Sequence, residues 1–180
     1  MRVAKIFRGF PVKSRILGVH ASCIATLFSG DMRPDRLRVV IAVDFSVCAD
    51  AAVGDWSTVL LPRTSVIDLV HVMELAADAS LEGRTLATSP SMLAWATAEL
   101  DKRLGILREL GFVCAAQALR GSPDRQLIQF VRDRGADLLL MGARGRGESP
   151  NSLGSIAASV LRSGPCPILF VPVVRRTPPF

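Results

Sequence analysis

From Arg38 onward, five short apolar runs rich in β-branched residues alternate with segments of helical period, and this alternation narrows the possible folds more than any other feature of the chain. Arg38 to Val43 and Val66 to Val72 are dense in valine and isoleucine. Asp137 to Met141 is a continuous apolar run, and Val113 to Leu119 and Pro167 to Val171 are looser examples. Strands buried on both faces lose the in-out alternation of a half-exposed sheet, because helices cover both sides. The pattern predicts an α/β domain with an open five-stranded parallel sheet and helices on both faces.

The intervening segments fit that architecture. Leu93, Ala96, Leu100, Leu104 and Leu107 recur at spacings of three and four, so they line one face of a long helix that ends near Gly111. Ser122 before Pro123 is an N-cap with proline at the first helical position, and Gly135 is a left-handed stop before the next strand. Asp50 to Leu61, ended by Pro62, is a weaker first helix, because Gly54 and the β-branched Val53, Thr58 and Val59 lower its propensity. Ala76 to Pro90 has no period and reads as a long connection.

Composition excludes several classes. With 49% hydrophobic and 21% charged residues, the chain has enough apolar surface to offset the entropy of folding. The net charge of +6 would suit a nucleic-acid partner, but residues 1 to 38 carry eight Lys/Arg against two acids, which leaves fourteen of each sign in the rest. The globular part therefore lacks the basic excess of a nucleic-acid binder. Cys23, Cys48, Cys114 and Cys166 form no CxxC pair and only two histidines occur, so neither a zinc site nor a disulfide framework is signalled, and a reducing cytoplasm is expected. Cys48, Cys114 and Cys166 are expected to be small buried apolar residues, and His71 a hydrogen-bonded structural one. No apolar run is long enough to span a membrane.

Residues 1 to 37 are expected to form a basic, disordered extension. Their apolar part faintly resembles an export signal, but His20 interrupts it and no A-x-A-like site follows; a start at Met32 accounts for the same facts. Residues 38 to 174 form the domain, and 175 to 180 a frayed tail.

The segment richest in chemical implication runs from Asp137 to Ser155, where an apolar strand enters a glycine loop and then a helix start. Gly142, Gly145 and Gly147 let backbone approach an anion, the amides of Gly154, Ser155 and Ile156 would point at it, and Arg144 and Arg146 add positive charge. Gly142 to Ser149 spells a P-loop with Glu148 in place of the lysine, and a carboxylate there would repel phosphate. The G-x-G-x-x-G spacing is missing as well, because Gly145 and Gly147 are followed by Pro150.

These residues, in order, resemble the universal stress protein family: Val39 to Ser46, His71-Val72, Gly121-Ser122-Pro123, Ala136 to Gly145, Leu153-Gly154-Ser155 and Gly164 to Leu169. The resemblance covers residues 38 to 174. It implies a Rossmann-like sheet of the adenine nucleotide alpha hydrolase-like type, ATP with accompanying Mg held by the loop after the fourth strand, and homodimerisation through the last strand, Pro167 to Val173. By the same resemblance Val43 would be among the nucleotide contacts, Asp44 would lie at the ribose, Val72 at the adenine edge, and Met141 and Gly142 on the floor. Arg144, Gly145, Gly154, Ser155 and Ile156 would surround the phosphates. The residues themselves leave Asp44 equally readable as the N-cap of the first helix or as a polar strand end.

Nucleotide-binding members resemble G-x-x-G, nine residues, then G-S/T, whereas Gly145 and Gly154 enclose eight, which shortens the arm by up to about 3.5 Å. Pro150 stiffens that arm, and Glu148 has two arginines within reach of pairing. No Ser-His-acid set, carboxylate pair or metal cluster can be assembled from the matched positions, so a binding role in the stress response is expected over fast turnover. The competing expectations are a dimeric interaction module without nucleotide and a very slow ATPase.

Overall fold

The computed structural model describes residues 36–74, 90–145 and 153–171. The expectations placed on residues 1–35, on the connection at 75–89, on the loop residues Arg146, Gly147, Glu148 and Pro150, and on 172–180 lie outside the described residues.

Five strands form one parallel sheet: β1 (Arg38–Ala42), β2 (Val66–Met73), β3 (Val113–Arg120), β4 (Leu138–Gly142) and β5 (Ile168–Val171), in the order β3-β2-β1-β4-β5. β1 is central, with Val39 opposite Ile67 on one side and Leu138 on the other. Asp137 lies just before β4 and not inside it; its carboxylate accepts the Arg38 amide at 2.8 Å, which fixes the β1–β4 register at its open end.

Among the described residues, four helical segments cover the sheet. The first, α1, spans 47–60; it opens as an α-helix (Val47–Ala51), widens into a π-helical turn (Ala52–Trp56) and closes as an α-helix (Ser57–Leu60). It therefore starts three residues before the expected Asp50, because the Ser46 hydroxyl accepts from the Ala49 amide and caps the end. The widened turn has a local cause. The Ser57 hydroxyl bonds the carbonyls of Val53 and Gly54, and that of Thr58 bonds the Gly54 carbonyl at 2.8 Å, which competes with the regular ladder. α2 (Pro90–Glu109) begins at Pro90, which the sequence placed in the connection; proline needs no partner for an amide at a first helical position.

α3 (Pro123–Arg134) ends at Gly135 in a left-handed conformation (φ 55°), as its sequence predicts. α4 (Ser155–Ser163) follows the glycine loop.

α1 and α2 pack on one face of the sheet, α3 and α4 on the other. The period of two sorts the core accordingly. Val40, Val70, Leu139 and Met141 meet Leu127, Phe130 and Val131 of α3 and Ala157 and Val160 of α4, while the alternate residues Val39, Ile41, Leu69 and Leu140 point to the opposite face. On α2, Ala96, Leu100, Leu104 and Leu107 are buried as expected and Leu93 is half-buried. Arg103 is buried with them, its guanidinium held by Asp50 and Glu99 at 2.6 and 2.9 Å.

Ser122 occupies the cap position of α3, yet its hydroxyl donates at 2.6 Å to Asp124 instead of capping an amide. The other oxygen of that carboxylate accepts from Ser159 of α4 at 2.6 Å, and the Arg125 amide adds a third donor at 2.8 Å. These donors, Ser122 and Ser159 foremost, hold the Asp124 carboxyl down to about 2, below its ordinary 3.8.

Three outcomes are expected. Asp124 should titrate near 2 in carboxyl-detected NMR and move upward in Ser159→Ala. Because the folded value lies below the unfolded one, its contribution to stability is complete above about pH 4 and lost as pH falls towards 2, so Asp124→Asn should flatten urea stability across that window. Leu139→Ala, which empties a fully buried position between β1 and α3, should cost about 2–5 kcal/mol by urea denaturation.

Candidate functional site

The strand order reverses direction between β1 and β4, with successive strands running outward on either side, and such a switch point leaves a crevice beyond the carboxyl ends of the strands. A cavity of about 220 Å³ opens there. Its walls are Ala42, Val43 and Asp44 where β1 ends, Val70 to Val72 on β2, and Met141 and Gly142 at the tip of β4. Arg144, Gly145, Gly154 and Ile156 close it from the glycine loop and the start of α4, and Pro123 and Leu127 reach it from α3.

Nine of the ten predicted residues therefore border one cleft: Val43, Asp44, Val72, Met141, Gly142, Arg144, Gly145, Gly154 and Ile156. Ser155, at the first position of α4 between two lining residues, does not itself line it. Glu74, Pro123, Leu127 and Ala157 border the cleft and were not foreseen, since only the tertiary packing of α3, α4 and the end of β2 brings them there.

Asp44 is neither the N-cap of α1 nor a strand residue. Ser46 takes the cap, and Asp44 Oδ1 accepts the Ser46 amide at 3.0 Å in the turn between strand and helix. Gly145 lies directly beside it: a Cβ at that position would stand 3.4 Å from Asp44 Oδ2. Gly142 is more confined, since a Cβ there would meet Cys48 Cβ at 3.0 Å and the Arg144 carbonyl at 3.1 Å. Glycine at 142 thus answers a close approach of α1 and the loop to the strand tip.

One expectation is corrected at the second half of the loop. The Gly154 amide does not point at the cleft as an unengaged donor; it donates to the Ala143 carbonyl at 2.9 Å, while the Ala143 amide donates to Val171 of β5. The loop is thereby stitched back onto the sheet.

Phe45 turns the chain between Asp44 and the cap. Its φ is 59°, a left-handed conformation costing a side-chain-bearing residue about 1–2 kcal/mol. Packing offsets that cost. The ring lies against His71 (centroids 4.2 Å apart), meets Trp95 of α2 edge-on at 5.1 Å, and has the Arg103 guanidinium 4.8 Å above it. His71 Nδ1 donates to the Val43 carbonyl at 2.7 Å, so the histidine ties the end of β1 to β2.

Among the described residues, the charged groups lining the cleft are Asp44, Glu74 and Arg144, over an apolar floor that includes Met141. Beside it, burial pushes the Cys48 thiol up, with Arg144 opposing. Away from the cleft, burial and then Asp137 push Cys166 up to about 11. Such thiols stay protonated at neutral pH. Among the described residues no group of three or more His, Cys, Asp or Glu is placed to hold a metal ion, and no helix is long and apolar enough to cross a membrane.

The same architecture occurs in known proteins. A universal stress protein of Methanocaldococcus jannaschii, MJ0531, is 33% identical over 73 residues, a stretch spanning 40% of this chain and 43% of that relative. The solved structure of the protein MJ0577 superposes with a TM-score of 0.68 at 21% identity, covering 77% of this chain and 97% of that one. A universal stress protein of Arabidopsis thaliana, solved with AMP bound, superposes with a TM-score of 0.55 at 20% identity over 79% of this chain and 96% of its own. Others of the family, solved with cAMP and with dAMP, match at 0.56 and 0.54. The sequence model of the universal stress protein family matches residues 36–172, which takes in every described strand and helix and the cleft, and the chain belongs to that family.

Proposed function

We propose that this protein binds an adenine nucleotide in the cleft between the ends of β1 and β4, with ATP the expected ligand, and acts through binding rather than turnover. The observation that carries the proposal is the pairing of Asp44 with Gly145 at the switch point. A carboxylate able to accept from ribose hydroxyls lies beside a glycine whose bare backbone admits a phosphate chain. Val43 and Val72 offer backbone and apolar contact to the sugar and base, and Met141 and Gly142 form the floor. Arg144 with Ser155 and Ile156 at the start of α4 would draw the phosphates, and Gly154, its amide already on Ala143, would let the chain approach them. Similar structures with bound AMP, cAMP and dAMP support the adenine class of ligand. Any Mg arriving with ATP would be held by phosphate oxygens, since the described residues offer no cluster of carboxylates for it.

The protein is further proposed to work in the cytoplasm, with residues 38 to 174 as the working domain, as a homodimer joined through Pro167 to Val173. β5 is an edge strand whose Ile168, Leu169 and Phe170 are half-exposed, and such an apolar edge calls for a cover. Nucleotide occupancy would then alter contacts with protein partners in the stress response.

Calorimetric titration of the full chain with ATP and with AMP should give saturable binding. Asp44→Ala should weaken it by at least about tenfold, the scale of a lost charge-assisted hydrogen bond. Gly145→Val, whose methyls would enter the space beside Asp44, should abolish it; absence of heat with either nucleotide would leave a nucleotide-independent interaction module. In sedimentation at micromolar concentration the chain should run as a dimer and Leu169→Asp as a monomer.

A further inference from the structure

The Asp124 carboxylate touches no cleft surface of its own, yet it joins the two helices that form one wall. Asp124 is the second residue of α3, directly after Pro123, which lines the cleft, and one helical turn before Leu127, which also lines it. Ser159 is one turn into α4, below the end that carries Gly154, Ile156 and Ala157 to the same cleft. The Ser159 hydroxyl donates to Asp124 Oδ2 at 2.6 Å across the two helices, while Oδ1 is occupied by Ser122 and the Arg125 amide from the α3 side. A carboxylate held by donors on its own helix end has little freedom to follow a moving partner, so the bond to Ser159 fixes α4 rather than the reverse.

α4 needs such a tie. Its start is attached to the sheet by the Gly154 amide on Ala143, and its inner face is buried through Ala157 and Val160, but packing of small side chains leaves sliding along the axis poorly opposed. A directional hydrogen bond one turn below the helix end opposes that sliding. Displacement of an anion-facing helix end by even part of an ångström weakens its pull on a bound phosphate, whereas the sugar and base sides of the cleft are built from β1 and β2.

We infer that Asp124, through Ser159, is a positioning residue that sets the start of α4 for the phosphate of the bound nucleotide, which rests on the nucleotide-binding function proposed above.

The test compares AMP with adenosine, which lacks only the phosphate, by calorimetry on the full chain and on Ser159→Ala, Asp124→Ala, the double variant and Ser159→Thr. The Kd for AMP should rise on the order of tenfold in both single variants, as when a bond behind a ligand-facing group is removed, with adenosine changed by less than about twofold. The double variant should be no worse than either single one, because both break the same bond, and Ser159→Thr, which keeps the hydroxyl, should restore AMP affinity. A merely structural bond would weaken both ligands alike, and that result, or no change in either, would overturn the inference while the nucleotide-binding function stands. A native chain that binds neither AMP nor adenosine would overturn both.

Discussion

Strand β1 is paired on both edges and covered on both faces, and the rest of the domain depends on that double enclosure. Val39, Val40 and Ile41 are almost completely buried, and their backbone groups are satisfied by β2 on one side and β4 on the other. A strand in this position can carry no polar side chain without a partner, so polarity first appears where the pairing ends, at Asp44. The polar side chains of the cleft are therefore pushed to the carboxyl tip of the sheet by the same burial that stabilises its centre. Helices α1 and α2 on one face and α3 and α4 on the other leave this tip as the place where loops from both layers converge.

At the tip, three devices hold a cleft open. Phe45 reverses the chain at a backbone cost recovered in ring packing, so that Asp44 precedes a capped helix instead of continuing the strand. Glycine at 142 lets α1 and the loop come within contact of the strand end. The bonds Ala143 to Val171 and Gly154 to Ala143 bind the loop's two ends to the outer strand and to each other. Rigid surroundings of this sort lower the entropy lost when a ligand is held.

The sheet was legible in the sequence because burial on both faces leaves dense valine, isoleucine and leucine runs, and all five expected strands form at or within two residues of their predicted bounds. Helix ends were less so. Pro90 carries the same letter whether it breaks a connection or opens a helix, and the start of α1 depends on whether the Ser46 hydroxyl finds an amide. The glycine loop of the cleft was readable from its own residues, whereas Asp44, Val72 and Met141 were reached through the resemblance to the family. The engagement of the Gly154 amide, the left-handed Phe45 and the reach of Ser159 to a residue 35 positions away carry no local signal; they arise only once the layers have packed.

The enclosure of β1 also sets an order of events. Its partner on one edge, β2, begins 28 residues later, but its partner on the other, β4, lies 99 residues along the chain from the matching position. Closing the longer loop carries the greater entropic cost and, during synthesis at about 5–20 residues per second, must wait at least about 5 seconds after β1 has emerged. The two walls of the cleft are the two sides of that late pairing. The pocket is thus among the last parts of the molecule to exist, and a ligand it holds would select chains that have finished folding, adding its binding energy only to the completed state.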